Sequence, residues 1–176
     1  HRGTFGGSLV HADPAADWPA GALAADATLV IAGPGGRREV HSTEFFTGML
    51  TTAVGPDELL IEIRVTANGT PGVYRKHANT ASGFAVVGVA ATATHHDGHI
   101  GHVKIGVTGA TGTAFRAMAA EKALEGAAIE ASTLDRAAAV AAEGLDCLSD
   151  IHASAAYRQN LVKVLVRRAL GDLLHV

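Results

Sequence analysis

The chain has 176 residues, of which 48% are hydrophobic and 18% charged, a composition that excludes disorder and leaves room for one domain or two small ones. Its net charge of -3 excludes a sequence-wide basic field for nucleic acid, and no apolar run is long enough for a membrane span. Cys147 is the only cysteine, which excludes an intrachain disulfide framework and a self-contained iron–sulfur cluster and predicts a reducing compartment such as the cytoplasm.

The first stretch, residues 4–17, is predicted to be a glycine-rich loop that runs into a helix. Its opening residues are Thr4, Phe5, Gly6, Gly7 and Ser8. Adjacent glycines let backbone amides face a ligand without an intervening Cβ, and the flanking hydroxyls can donate or accept. Asp13 and Asp17 are each followed within two residues by proline, which is typical of loop-end and helix-cap carboxylates. The pattern fits a cradle for a phosphate or a ring edge, and it equally fits a plain tight turn.

The remainder of the first part alternates short helices and β-rich runs. We predict a helix over 20–25 with Asp17 as its cap, strands over 27–32 and 37–40 joined by a turn at 33–36, a helix over 44–46 capped by Ser42, and a strand over 58–65. Trp18, the only tryptophan, is interpreted as a core residue rather than as a ligand-stacking one.

Residues 67–72 consist almost entirely of turn formers and mark the predicted boundary between two units, 1–66 and 72–176. Beyond it we predict strands over 73–78, 84–94 and 100–108, then helices over 114–124, 132–143 and 154–174. The last helix carries an apolar stripe: Leu161, Val162, Leu165, Ala169 and Leu173. Strands followed by helices predict an α+β unit in which a three-stranded antiparallel sheet packs on helices, with a core of its own.

Several motifs keep one order along nearly the whole chain. They are the Gly-Thr-Phe-Gly-Gly-Ser opening with Asp-Pro-Ala-Ala-Asp, the run at 56–65, Tyr-Arg-Lys at 74–76 with the Gly-Phe-Ala-Val-Val-Gly run from 83, and Tyr-Arg at 157–158 with the apolar and basic residues at 162–169. In this order and spacing the chain resembles the FAD-binding medium subunits of molybdenum hydroxylases, the family of the carbon monoxide dehydrogenase medium subunit and the xanthine dehydrogenase FAD subunit.

The resemblance implies an α+β fold in which a remnant of the second, PCMH-type FAD-binding lobe precedes the small C-terminal domain. It implies an electron-transfer subunit of an oxidoreductase, with FAD as cofactor. The iron–sulfur clusters and the molybdenum cofactor would lie in a small and a large partner subunit. A first FAD-binding lobe with its own glycine-rich loop is expected to precede this stretch, so the 176 residues alone are expected to bind FAD weakly and to be inactive.

The resemblance also implies roles for single residues. Those at 4–8 would form half of the FAD cradle, and Asp13 and Asp17 would hydrogen-bond toward flavin or ribityl oxygens. Leu59, Lys76 and Phe84 would border the flavin ring. From the residues alone, Phe84 and Leu59 are interpreted as buried and Lys76 as a surface lysine. Many relatives carry an acidic residue where this chain has Gly83, a departure that puts the polar network at the flavin edge in doubt.

Two clusters have more than one interpretation. Histidines at 95, 96, 99 and 102 suggest a metal site, but neighbouring side chains in a strand point to opposite faces, so we expect no structural metal there. The last helix has a basic side: Arg158, Lys163, Arg167 and Arg168. It is either a solvated face or a surface for a partner subunit. At the level of the whole chain, a scaffold or interaction module without flavin is the alternative to a flavoprotein.

Overall fold

The computed structural model describes residues 3–176, so the first two residues of the predicted 1–66 unit lie outside it. The first part contains α1 (Phe5–His11), α2 (Trp18–Ala24), β1 (Thr28–Gly33), β2 (Gly36–His41), α3 (Ser42–Phe45), β3 (Phe46–Gly48), β4 (Thr51–Thr52) and β5 (Leu59–Arg64). The second contains β6 (Gly72–Ala78), β7 (Ala85–His96), β8 (His99–Thr108), β9 (Phe115–Arg116), α4 (Met118–Leu124), α5 (Ala131–Ala141) and α6 (Ala155–Leu174). The predicted α+β class is confirmed.

The first sheet is antiparallel in the order β2-β1-β5. Its central strand carries the buried Leu29 and Ile31, which pack with Leu9 of α1 and Phe45 of α3. A register shift between Val30 and Ile31 interrupts the pairing of β1 with β5. Because β5 lies at the sheet edge, it pairs with β1 on one side only among the described strands. A separate small hairpin, β3 with β4, was not predicted from the sequence.

The predicted glycine-rich loop is wrong in conformation, because residues 5–11 form the helix α1. Glycine pairs disfavour helix, but here Thr4 caps the helix by accepting a hydrogen bond from the Gly7 amide at 3.0 Å. Leu9 is fully buried on the inner side of α1. The cap and this burial together outweigh the unfavourable propensity of the two glycines.

The second sheet is antiparallel in the order β6-β7-β8-β9. The three predicted strands are present, and the hairpin at Asp97 and Gly98 joins β7 to β8. The predicted helix over 114–124 is partly wrong, because Phe115 and Arg116 pair with β8 as a short fourth strand and the helix begins at Met118. Arg116 is fixed there by the carboxylates of Asp26 and Glu121, which favours the extended conformation over an earlier helix start.

The last helix, α6, begins after Ser154, whose hydroxyl accepts a hydrogen bond from the Tyr157 amide at 3.2 Å. All five residues of its predicted apolar stripe are buried against the second sheet and α5. The predicted basic side is wrong at Arg158, which is only 4% exposed. Its guanidinium donates to the carbonyls of Val86 and Gly109 and to Asp150, so it joins the ends of β7 and β8 to the start of α6.

The other face of the second sheet is covered by α2, which comes from the first part of the chain. A Cβ at Gly106 of β8 would overlap the carbonyl oxygen of Ala20 in α2, so glycine is needed for this close approach. The Thr108 hydroxyl donates to the carbonyls of Pro14 and Ala16, each at 2.8 Å. The second sheet therefore has helices on both faces, and one of these helices precedes the predicted boundary.

Three local predictions need correction. Asp17 precedes α2, but its side chain makes no capping hydrogen bond. The cap of α3 is His41 rather than Ser42, since the His41 ring accepts from the Thr43 amide at 3.4 Å. Trp18 is 58% exposed and is not a core residue, because the buried face of α2 is formed by alanines, Pro19 and a leucine. None of the helices described for residues 3–176 has the length and apolar character that a membrane crossing needs.

Candidate functional site

A cavity of about 220 Å³ lies where α1, the start of α2 and the turn before β7 meet. It is lined by Ser8, Ala16, Asp17, Trp18, Ser82, Gly83 and Phe84. Phe84 is 51% exposed, so the interpretation of this residue as core is wrong. Large apolar side chains exposed beside a cavity are typical of ligand or partner surfaces.

A hydrogen-bonded network supports one wall of this cavity. The Lys76 ammonium donates to Asp17 Oδ2 at 2.8 Å and to the carbonyl oxygen of Gly83 at 2.9 Å. The second carboxylate oxygen, Asp17 Oδ1, accepts from the Tyr74 hydroxyl at 2.5 Å. Lys76 is therefore not a free surface lysine, since it joins β6, the start of α2 and the turn that precedes Phe84.

Alternation in β6 explains why Tyr74 and Lys76 act together. Residues two apart in a strand point to the same face, here the face covered by α2. Burial, followed by the hydrogen bond to Asp17, raises the pKa of Tyr74 well above its usual range. The phenol therefore stays protonated and remains a hydrogen-bond donor at physiological pH.

A second cavity, of about 490 Å³, is a groove between α1 and β5. It is lined by Thr4, Gly6, Gly7, Val10, Val54 and the consecutive residues 58–63. Leu59 is 72% exposed and Ile61 44% exposed, so the interpretation of Leu59 as a buried strand residue is wrong. The β5 edge leaves these two apolar side chains without a covering element in the described chain.

Two predicted site residues, Phe5 and Asp13, contact other residues of the first part of the chain. The Phe5 ring lies against Trp18, with centroids 4.9 Å apart, so the two rings support each other. The Asp13 carboxylate accepts the Ala15 amide at 2.9 Å and closes a turn between α1 and α2. Asp13 is absent from the residues that line either cavity.

The predicted residues thus fall into two groups that flank α1. Thr4, Gly6, Gly7 and Leu59 line the groove along β5. On the other side Ser8, Asp17 and Phe84 line the small cavity, and Lys76 bonds to its wall.

Sequence reasoning missed three residues that belong to these surfaces: Trp18, Ile61 and Tyr74. Trp18 had no usable signal, because its place at a helix start next to proline does not tell which way the ring projects. Ile61 had a usable signal, because Leu59 and Ile61 alternate in what proves to be an edge strand. Tyr74 had only its spacing of two residues from Lys76, which does not predict a partner 57 residues away.

Two histidines of the β7–β8 hairpin each lie beside a single carboxylate. His96 pairs with Asp97 and His102 lies 3.4 Å from Glu125, all on exposed side chains. Across residues 3–176, the structure contains no group of three or more histidine, cysteine, aspartate or glutamate side chains arranged to hold a metal ion.

Comparison with known proteins gives matches along the whole chain. Residues 1–67 match the model of the FAD binding domain in molybdopterin dehydrogenase, and residues 72–173 match that of the CO dehydrogenase flavoprotein C-terminal domain. The nicotine 6-hydroxylase medium subunit of Paenarthrobacter nicotinovorans is 32% identical over 98% of this chain and 61% of its own length. The carbon monoxide dehydrogenase medium chain of Hydrogenophaga pseudoflava is 32% identical over 97% and 60%.

Solved structures also match nearly the whole of this chain. A carbon monoxide dehydrogenase structure from Hydrogenophaga pseudoflava superposes with a TM-score of 0.92 at 36% identity, covering 97% of this chain and 60% of that one. Quinoline 2-oxidoreductase from Pseudomonas putida 86 gives a TM-score of 0.90 at 32% identity, covering 99% and 61%. The chain therefore spans about 60% of the length of the proteins that it matches.

Proposed function

The chain belongs to the carbon monoxide dehydrogenase flavoprotein family, the FAD-binding medium subunits of molybdenum hydroxylases, and from this premise we propose that it forms the C-terminal part of an electron-transfer subunit. In this role the subunit passes electrons from iron–sulfur clusters of a small partner subunit through FAD to an acceptor. A large partner subunit holds the molybdenum cofactor and oxidises the substrate. A cytoplasmic location is part of the proposal, since the single cysteine suits a reducing compartment.

The observation that carries the proposal is the match to both family models in order, at 1–67 and at 72–173. The site geometry supports it. Phe84 and Leu59 are exposed apolar side chains that line separate cavities on the two sides of α1. An exposed aromatic ring beside a polar network suits a planar ring that carries polar edges.

FAD, when bound, supplies the electron transfer itself, and the residues of this chain bind and orient it. We propose that Phe84 and Leu59 cover the ring and exclude water from it. Lys76 holds a positive charge at the ring edge, where it would favour reduced flavin. Thr4, Gly6 and Gly7 at the start of α1 line the groove. The two glycines have no Cβ, so a ligand in the groove can approach their backbone closely.

The test uses the full-length subunit purified with its partner subunits. FAD should be present in stoichiometric amount, and its visible absorbance should fall when an anaerobic substrate of the molybdenum subunit is added. A panel of carbon monoxide, a purine, a nicotine-like heterocycle and an aldehyde covers the substrate classes at issue. The subunit without partners is the control, because its FAD should stay oxidised. A complex without FAD, or FAD that no panel member reduces while dithionite does, would contradict the proposal.

A further inference from the structure

The network behind Phe84 depends on a residue that does not line either cavity. Tyr74 is 38% exposed, and its hydroxyl is directed across the sheet to Asp17. A Cβ at Gly88, on the neighbouring strand β7, would overlap this hydroxyl. Gly88 therefore leaves the slot through which the phenol reaches the start of α2.

The contacts form a continuous chain from Tyr74 to the turn that carries Phe84. Tyr74 holds one carboxylate oxygen of Asp17, and Lys76 holds the other. Because both oxygens are engaged, the carboxylate cannot rotate without losing a charge-assisted hydrogen bond. The same ammonium then donates to the Gly83 carbonyl, one residue before Phe84.

The turn also has hydrogen bonds of its own, since Asn79 Oδ1 accepts from the Ala81 and Ser82 amides and the Ser82 hydroxyl accepts from the Phe84 amide. The Gly83 amide donates to the Asn79 carbonyl at 2.9 Å, and the Asn79 amide donates to the Phe84 carbonyl at 2.8 Å. Gly83 has a φ of +75°, a conformation that glycine adopts without strain. Lys76 links this turn to the first part of the chain, because its ammonium donates both to the Gly83 carbonyl and to Asp17.

We propose that Tyr74 is a positioning residue, which acts through Asp17 and Lys76 to hold the 79–84 turn and so fixes the Phe84 ring and the Lys76 charge at the edge of the cavity. The proposal rests on the proposed function in one respect, namely that the ligand at this edge is FAD. Tyr74 itself does not line the cavity.

The chain offers a matched pair for the test, because it has two tyrosines. Tyr74→Phe removes the bonded hydroxyl and keeps the ring in its slot. Tyr157→Phe is the control, since Tyr157 is 44% exposed and its hydroxyl makes no hydrogen bond among the described residues. Both variants are made in the full-length subunit purified with its partners, and FAD affinity, FAD midpoint potential and amide hydrogen exchange are measured.

Tyr74→Phe should weaken FAD binding by no more than about tenfold, because a hydrogen bond to a charged group is worth about that factor and only the part that positions the 79–84 turn reaches FAD. It should also shift the midpoint potential and speed hydrogen exchange at the Asn79 and Gly83 amides, whereas Tyr157→Phe should change none of the three. Asp17→Asn should produce the same three changes. Adding Tyr74→Phe to it should have little further effect, because both act through one chain of contacts.

The proposal is overturned if Tyr74→Phe leaves potential and exchange at the wild-type values, or if its effect simply adds to that of Asp17→Asn. A change in overall stability with unchanged potential and exchange would also overturn it, since that outcome is purely structural. A wild-type complex without FAD contradicts the proposed function instead. In that case hydrogen exchange at the 79–84 turn alone decides whether Tyr74 positions it.

Discussion

Phe84 and Phe45 are the same residue type in opposite environments, with exposed fractions of 51% and 0%. Phe84→Ala should lower the free energy of unfolding by no more than about 0.5 kcal/mol, as at other surface positions. Phe45→Ala should lower it by about 3 to 5 kcal/mol because a buried ring leaves a cavity. Denaturant titration of both variants measures these changes.

Flavin binding provides a second test of Phe84. If Phe84 covers the flavin ring, Phe84→Leu should weaken FAD and alter its spectrum or potential, since leucine keeps apolar volume but lacks the aromatic face. A leucine variant with unchanged affinity, spectrum and potential would remove Phe84 from the proposed site. A loss of stability as large as that of Phe45→Ala would instead contradict its placement at the surface.

The contribution of the Asp150 carboxylate to the free energy of unfolding should depend on pH. The hydrogen bond from Arg158, then the backbone amide of His152, lower the pKa of Asp150 to about 2. A depressed folded-state pKa contributes stability that is complete above the unfolded-state value of 3.8 and is lost as pH falls toward about 2. Because the Asp150 side chain is 42% exposed, solvent screening limits this contribution to about 1 kcal/mol.

The measurement is urea unfolding of the wild type and of Asp150→Asn at a series of pH values from neutral to acidic. The wild type should lose its advantage over the variant within the interval between these two pKa values. Equal slopes for the two proteins across that interval would show that the Arg158–Asp150 pair carries no pH-dependent stability.

At the scale of elements, the contact of α2 with β8 depends on Gly106. A side chain there would overlap the carbonyl oxygen of Ala20, which is backbone and cannot move aside cheaply. Gly106→Ala should therefore separate α2 from the sheet and lower the free energy of unfolding by about 1 to 3 kcal/mol. Gly35→Ala is the control, because nothing lies within 4 Å of its Cβ position. Thermal unfolding that shifts equally in both variants would argue against close packing of α2.

The elements differ in how much the sequence reveals of them. The helix α6 was predictable because Ser154, its cap, and a five-residue apolar stripe agree with each other. The helix α1 was not, since a Gly-Gly pair indicates a turn and only tertiary burial of Leu9 reverses that preference. The short strand β9 was missed for a related reason, because Arg116 is held by carboxylates from other elements.

The candidate site was predictable in its members but not in its arrangement. Family motifs pointed to Ser8, Asp17, Lys76 and Phe84, and these do gather around one cavity. Burial of Phe84 and Leu59 was predicted wrongly, because residue type alone does not reveal that Phe84 lies in the turn before β7 and Leu59 on the edge strand β5. The role of Tyr74 depends on a contact that crosses the chain, which no local pattern encodes.

At the scale of the whole molecule, the two parts of the chain are joined through α2 and the residues on either side of it. Asp26, just after α2, pairs with Lys104 and Arg116 of the second sheet. Burial raises the pKa of Asp26, but the pairs with Lys104 and Arg116 together outweigh it and lower that pKa. Backbone bonds add to this, since the Gly109 amide donates to the Pro14 carbonyl and the Ala85 amide to the Ala15 carbonyl. The face of the second sheet therefore relies on residues from before the proposed boundary.

This arrangement predicts what limited proteolysis should yield. The exposed turn-rich segment at 67–71 should be cut first, which is the test of the proposed boundary between 1–66 and 72–176. We expect the two pieces to remain together in size-exclusion chromatography, because α2 stays packed on β7 and β8 after the cut. Urea should separate them, and the isolated second piece should then unfold at a lower denaturant concentration than the nicked pair, since one sheet face loses its cover.

Asp26→Asn should lower the urea concentration at which the pieces separate. Asp57→Asn is its control, because Asp57 is an exposed carboxylate without a side-chain partner among the described residues. Pieces that separate in native buffer, with the second as stable as the intact chain, would mean that the C-terminal unit needs no contribution from α2.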